Sequence, residues 1–309
     1  MKKFLIKIAP YFVAVMIVFA VLGSYADGNT DDNYMHFAVK KPQNIILGDS
    51  RGAQGVVPEV LKNKLSIPFD NFSLNIVQSP YGQIYLKALK RKLDPDTKNG
   101  IFILTVNPWS LSIDNAVKRK EDFPEVHSPL NNMYFYDWSP NYEYLLKNYT
   151  RSWFKIYSER EAAVGKSNTF QHKDGWMEVN GIDMHKDSVA VRTGEKIAFY
   201  NMLAEKQNFS KDRIDAFNEI IDYLKSRGTV YLVRIPTSEQ LKGIETKKFP
   251  EFNTMMHKIE IQKGVKFYDF SGHSSDYLYT DGNHMYSESG KIFTSRIADS
   301  ILLDKKKLK

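Results

Sequence analysis

The sequence predicts an α/β protein, a three-layer α/β/α sandwich around a central parallel sheet, with one transmembrane helix at its N-terminus. Two observations predict the sheet. Apolar runs of strand length, at residues 45–47, 101–106 and 229–235, each end in turn-forming residues, and helical stretches lie between them. Strands that alternate with helices pair in parallel through right-handed crossovers. A third observation predicts the apolar helix: residues 8–26 contain no charged side chain. As a helix this run is roughly 28 Å long, close to the ~30 Å hydrocarbon core of a bilayer.

At the N-terminus, Lys2, Lys3 and Lys7 precede the apolar run. Basic residues on that side place it in the cytoplasm and the rest of the chain outside. Residues 1–26 therefore read as a membrane anchor, or as a signal sequence cleaved after Ser24-Tyr25-Ala26, and both readings export the remainder to the periplasm or cell surface. Residues 27–41, beginning with a polar Asp-Gly-Asn-Thr-Asp-Asp-Asn tract, read as a linker. The domain proper spans 42–304, and 305–309 form a basic tail. The net charge of +7 comes from the two ends: seven of the 43 basic residues lie there, and the other 36 equal the 36 acidic ones. A balanced body gives no nucleic-acid surface. With no cysteine, disulfides, thiolate metal sites, a cysteine nucleophile and a lipoprotein anchor are excluded.

The first strand, Ile45–Leu47, runs into Gly48-Asp49-Ser50-Arg51-Gly52 and a helical stretch at 56–64. A second strand is expected at 69–76, a turn at Ser79-Pro80-Tyr81-Gly82, and an amphipathic helix at 83–93 with Tyr85, Leu86, Leu89 and Leu93 on one face. The strand at 101–106 ends at Asn107-Pro108-Trp109. From 111 to 192 the alternation lapses into an aromatic-rich insertion or lid. Helices are expected at 194–209 and 211–227, a strand at 229–235 ending in Arg234-Ile235-Pro236, a short strand at 265–270 and a closing helix at 287–303.

Ser50 is the residue around which a chemistry can be built. It stands where a strand delivers a side chain to the C-terminal edge of the sheet, and its own N–H is one of the unpaired donors at a helix start. The same pattern also describes an ordinary N-capped helix. A serine needs a base within hydrogen-bond reach to act as a nucleophile. Of the seven histidines, His284 stands out, in Thr280-Asp281-Gly282-Asn283-His284 directly before the last helix. Asp281, three residues earlier, is placed to fix its tautomer and stabilise the imidazolium. Asn107, at the end of the middle strand, offers a carboxamide to a developing oxyanion, or an Asx-turn before Pro108. His172, Asp183 and His185 lack metal-ligand spacing, so no metal or cofactor is assigned.

Gly48-Asp49-Ser50, Asn107 and Asp281-x-x-His284, in this chain order, resemble the SGNH hydrolase superfamily of GDSL-like esterases and acyltransferases. The resemblance implies a flavodoxin-like sandwich in which Ser50 is the nucleophile, His284 the base and Asp281 its orienting partner. It also implies oxyanion donors at Ser50 N–H, the Asn107 side chain and a glycine after the second strand, for which Gly82 is nearest. The chain departs from the family at Thr105-Val106-Asn107-Pro108, where Gly-x-Asn-Asp is usual, and at Arg51, where leucine is common. An exported, anchored chain of this kind is similar to extracytoplasmic proteins that work beside membrane-bound O-acyltransferases on cell-envelope polymers. The implied reaction is acyl transfer through a Ser50 acyl-enzyme to a sugar hydroxyl or water. The alternative is a non-catalytic assembly or binding partner of such an acyltransferase. Arg51 and Arg234, both beside strand ends, are offered either as ligands for an anionic sugar or as internal salt-bridge partners.

Overall fold

The computed structural model describes residues 1–165 and 168–307. Its central sheet has five strands, β1 (Ile45–Leu47), β2 (Asp70–Asn71), β3 (Gly100–Thr105), β4 (Gly228–Arg234) and β5 (Lys266–Asp269). They lie in the order β2-β1-β3-β4-β5, every pair parallel. Every residue of β1 and β3 is buried, as strands covered on both faces require. Alternate side chains feed two cores. Ile45, Leu47, Phe102, Leu104, Val230 and Leu232 enter one; Ile46, Ile101, Ile103, Tyr231 and Val233 enter the other. Helices Gln83–Lys92, Lys211–Lys225 and Phe252–Lys263 close the first core, and Pro58–Leu65 and Ser287–Lys307 close the second. The strand order reverses between β1 and β3, and the crevice beyond their C-terminal ends is where open sheets of this kind bind ligands.

Several elements differ from the sequence reading. The second strand pairs with β1 through Asp70 and Asn71 only. Beyond them the Asn71 side chain turns to cap a neighbouring helix, and the chain leaves the sheet. The expected helix at 194–209 begins eight residues earlier and runs Lys186–Lys206, with Gly194 in its interior, while Gln207–Phe209 pair antiparallel with Ser112–Asp114. Between β4 and β5 lie two helices unassigned from sequence, Glu239–Lys248 and Phe252–Lys263.

Residues 27–41 are packed rather than a free linker. Tyr34–Phe37 form a 3₁₀ turn whose four side chains are buried; Phe37 lies 4.9 Å from Tyr136 and 5.3 Å from Tyr144, ring to ring. Its polar first half concealed an apolar second half. The aromatic insertion shares the main core through Leu130, Met133, Tyr136, Tyr144 and Tyr149, so it is part of the domain. Helix Lys2–Gly23 is long and apolar enough to cross a membrane, and of its residues only Gly23 is buried.

Candidate active site

The site begins where β1 ends. Gly48 passes so close to β3 that a Cβ would fall 1.8 Å from Thr105 Oγ1, which makes glycine the residue that fits. Asp49 then caps the short helix Ser50–Gly55, accepting a bond from Arg51 N at 3.0 Å. Ser50, the first helical residue, is half-buried. The carbonyls of this helix are tied down from three elements. Asn71 Nδ2 donates to Gly52 O and Val56 O at 2.9 Å each, Trp176 Nε1 to Gln54 O at 3.0 Å and Thr294 Oγ1 to Gly55 O at 3.2 Å. Ser50 thus rests on a braced support.

The loop before the last helix closes on itself, with Thr280 N donating to His284 O at 2.9 Å and Gly282 supplying the left-handed turn at φ +76°. Asp281 Oδ1 accepts from Asn283 N at 3.0 Å and from His284 N at 2.8 Å. Its Oδ2 lies 2.8 Å from His284 Nδ1 and 3.6 Å from Lys196 Nζ. His284 Nε2 is 2.8 Å from Ser50 Oγ. An ionised carboxylate accepts only, so Nδ1 carries the proton and Nε2 accepts from the serine hydroxyl. Burial opposes ionisation of Asp281, but the hydrogen bonds and charge of His284, with Lys196 adding to them, outweigh it and hold the carboxyl well below the usual range. The structure therefore brings Ser50, His284 and Asp281 into one relay, with the geometry in which a base removes a serine proton and a carboxylate steadies the imidazolium.

Asn107 lies close by, through Asp49. Its Nδ2 donates to Asp49 Oδ2 at 2.6 Å, while its Oδ1 accepts from Ser110 N at 3.1 Å. One amide proton is thus committed to bracing Asp49, and the Asx-turn before Pro108 is also made. Gly82 caps helix Gln83–Lys92 and backs onto a buried ion pair: a Cβ there would lie 3.1 Å from Glu125 Oε1 and 3.3 Å from Arg213 Nη1.

Arg51 and Arg234 are both buried, and one carboxylate holds both. Glu245 Oε1 lies 2.7 Å from Arg51 Nη2 and its Oε2 lies 3.1 Å from Arg234 Nη2. The Arg51 contact is an ion pair without hydrogen-bond alignment. Trp109 Nε1 donates to Glu245 Oε1 at 2.9 Å, and Arg234 Nη1 donates to Asn253 Oδ1 at 2.6 Å. Glu245 carried no signal in the sequence, because the helix that presents it was unassigned.

Asn283 is the residue passed over in the sequence motif. Arg51 Nε donates to its Oδ1 at 2.9 Å. Arginine has no acceptor, so this bond fixes which end of the carboxamide is oxygen. The amide nitrogen consequently faces the site, with Nδ2 3.0 Å from His284 Nε2. Beside the loop, a groove of about 590 Å³ runs past Gly282 between the Lys186–Lys206 helix and Ser238, lined by Ile197, Leu278 and Tyr279 among others. No family model matches the chain, and no curated protein matches it either.

Proposed function

We propose that the protein is a serine-dependent esterase or O-acyltransferase of the SGNH type, acting on extracytoplasmic carbohydrate or a cell-envelope polymer. The observation that carries this reading is the relay from Ser50 Oγ to His284 Nε2 and on to Asp281, with 2.8 Å at each step. A core packed for stability has no need of a half-exposed serine aligned on a histidine whose far nitrogen is fixed by a carboxylate. The strand order and the placement of Ser50 at the β1/β3 crevice support the SGNH resemblance.

In the proposed reaction Ser50 Oγ attacks the ester carbonyl while its proton passes to His284 Nε2. Collapse of the tetrahedral intermediate breaks the bond to the alkoxy group, which takes that proton and leaves. A sugar hydroxyl, or water, then attacks the acyl-Ser50, again losing its proton to His284, and the serine is regenerated. The oxyanion is met by donors around Ser50: its own N–H, the second amide proton of Asn107, and Asn283 Nδ2, which stands beside the reacting nitrogen and takes the part for which the sequence offered Gly82. Arg51, held by Glu245, acts as a positioning residue for Asn283. The three N-terminal lysines support an anchor with the domain outside the cytoplasm, where a membrane-bound acyltransferase is the proposed acyl source.

The competing reading, a non-catalytic assembly partner, is favoured by the commitment of Asn107 to Asp49 and of Gly82 to the Arg213–Glu125 pair. Turnover separates the two. Full-length protein in detergent is expected to release acetate from acetylated sugars or an aryl acetate, and Ser50→Ala to abolish the release. Equal rates for the two proteins would leave only the assembly role.

A further inference from the structure

We infer that the aromatic insertion is a membrane seat: helices Tyr142–Lys147 and Trp153–Ser158 rest in the outer interface of the bilayer, beside the point where the N-terminal helix emerges. This rests on reading Lys2–Gly23 as a membrane span.

The length of the N-terminal helix sets how deep its last turns lie. From Phe4 to Gly23 the helix has 20 residues, about 30 Å at 1.5 Å per residue, and the hydrocarbon core is also about 30 Å thick. Crossing it uses the helix to its last turn, with Lys7 reaching back to the headgroups. If the span is instead counted from Ile8, the outer boundary falls beyond Gly23. On either count Phe19 and Ala20 lie inside that boundary, by about one helical turn (~5 Å) on the first and about two (~10 Å) on the second.

Yet both residues are already in contact with the insertion. The Trp153 ring packs edge-on to Phe19 at 4.8 Å, and Tyr142 Oη donates to Ala20 O at 2.6 Å. The Tyr142 ring also occupies the space where a side chain at Gly23 would go, its Cε1 2.5 Å from that Cβ position. Tyr157, one turn after Trp153, meets Tyr25 at 5.0 Å, so the Trp153–Ser158 helix runs alongside the end of the anchor with Trp153 at its deeper end. Tryptophan and tyrosine are the side chains that prefer this depth.

The two helices also expose apolar side chains beside these contacts. Phe154, next to Trp153, is 61% exposed, and Leu146, one turn after Tyr142 on the same helix face, is 74% exposed. In water such residues are unfavourable; at the headgroup–acyl boundary they are buried. The occupant of this face is thus the bilayer itself, continuous with the lipid around the anchor.

The chain has no cysteine, so single-cysteine variants can be labelled uniquely. Full-length F154C and L146C, each carrying an environment-sensitive fluorophore, are reconstituted in phosphatidylcholine–phosphatidylglycerol vesicles with V13C as the anchor reference and I261C as the aqueous one; Ile261 is 81% exposed. The expected result is that labels at 154 and 146 are quenched by shallow spin-labelled lipid and are several-fold less accessible to iodide than the label at 261. If they respond like 261 while 13 remains lipid-buried, the seat is wrong and the anchor stands. If 13 is also open to iodide, the anchor reading itself fails and the seat with it.

Discussion

Asn283 shows how the geometry of the candidate site depends on a residue whose orientation no motif records. Ser50, Asp281 and His284 were legible because each follows a strand end or sits in a turn-rich loop, and residue type suffices to suggest a nucleophile, an orienter and a base. Asn283 stood in the same motif, but the direction of its carboxamide depends on Arg51, and Arg51 depends on Glu245, from a helix the sequence pattern did not reveal. The same dependence accounts for Arg51 and Arg234, whose chemistry is spent on Glu245 in the interior. If Asn283 Nδ2 serves the oxyanion, Asn283→Ala lowers kcat by about 10²–10³-fold with little change in KM, as loss of one oxyanion donor does. Arg51→Lys keeps the charge but not the fixed fork. It is expected to lower kcat with KM nearly unchanged and to alter the pH profile, because the group beside His284 Nε2 is no longer held. A purely structural Arg51 would instead lower the melting temperature and leave kcat per folded molecule intact.

At the level of elements, the long apolar strands and the amphipathic helix at 83–92 were legible because each repeats one physical signal over several residues. Short segments were not. Tyr34–Phe37 follows a polar tract that dominates the composition of its window, and β2 pairs over two residues only, Asp70 and Asn71. The buried 3₁₀ turn yields a prediction that separates a packed segment from a linker. Phe37 is fully buried among Phe72, Tyr136 and Tyr144, so Phe37→Ala is expected to destabilise the domain by about 3–5 kcal/mol, measured by denaturant unfolding. A change within ~0.5 kcal/mol, the usual size for a surface position, would restore the linker reading. Asn71→Ala removes both bonds to the helix that carries Ser50, leaving Val56 O without that donor while Gly52 O keeps Val56 N, at a cost of about 1–3 kcal/mol. If Ser50 is the nucleophile proposed above, esterase activity falls further than the loss of stability explains.

Over the whole molecule, stability carries a pH signature from the buried turn. Burial, with the charge of Lys92 added to it and backbone groups of Ser73 and Asn71 opposing, lowers His36 to about 3. Its folded value lies below its unfolded one, so the stability linked to it is complete above the unfolded value near 6.5 and is lost as pH falls toward the folded one. The ring sits edge-on to Phe72 at 5.6 Å, a place that phenylalanine fits. His36→Phe should therefore gain stability relative to the parent as pH drops, by on the order of 2 kcal/mol between pH 6.5 and 5. A difference that does not vary with pH would refute this.

The fold class was readable from alternation alone, whereas the site needed the fold to bring residues near 50, 107 and 281–284 to one crevice. On the proposed reading this crevice holds an activated serine. The most direct measurement is covalent labelling of the full-length protein with a fluorophosphonate, mapped by mass spectrometry. An activated Ser50 gives a single adduct on that residue, lost in Ser50→Ala and strongly slowed in His284→Ala. An unlabelled Ser50 in folded protein, or labelling that is indifferent to His284, would contradict it.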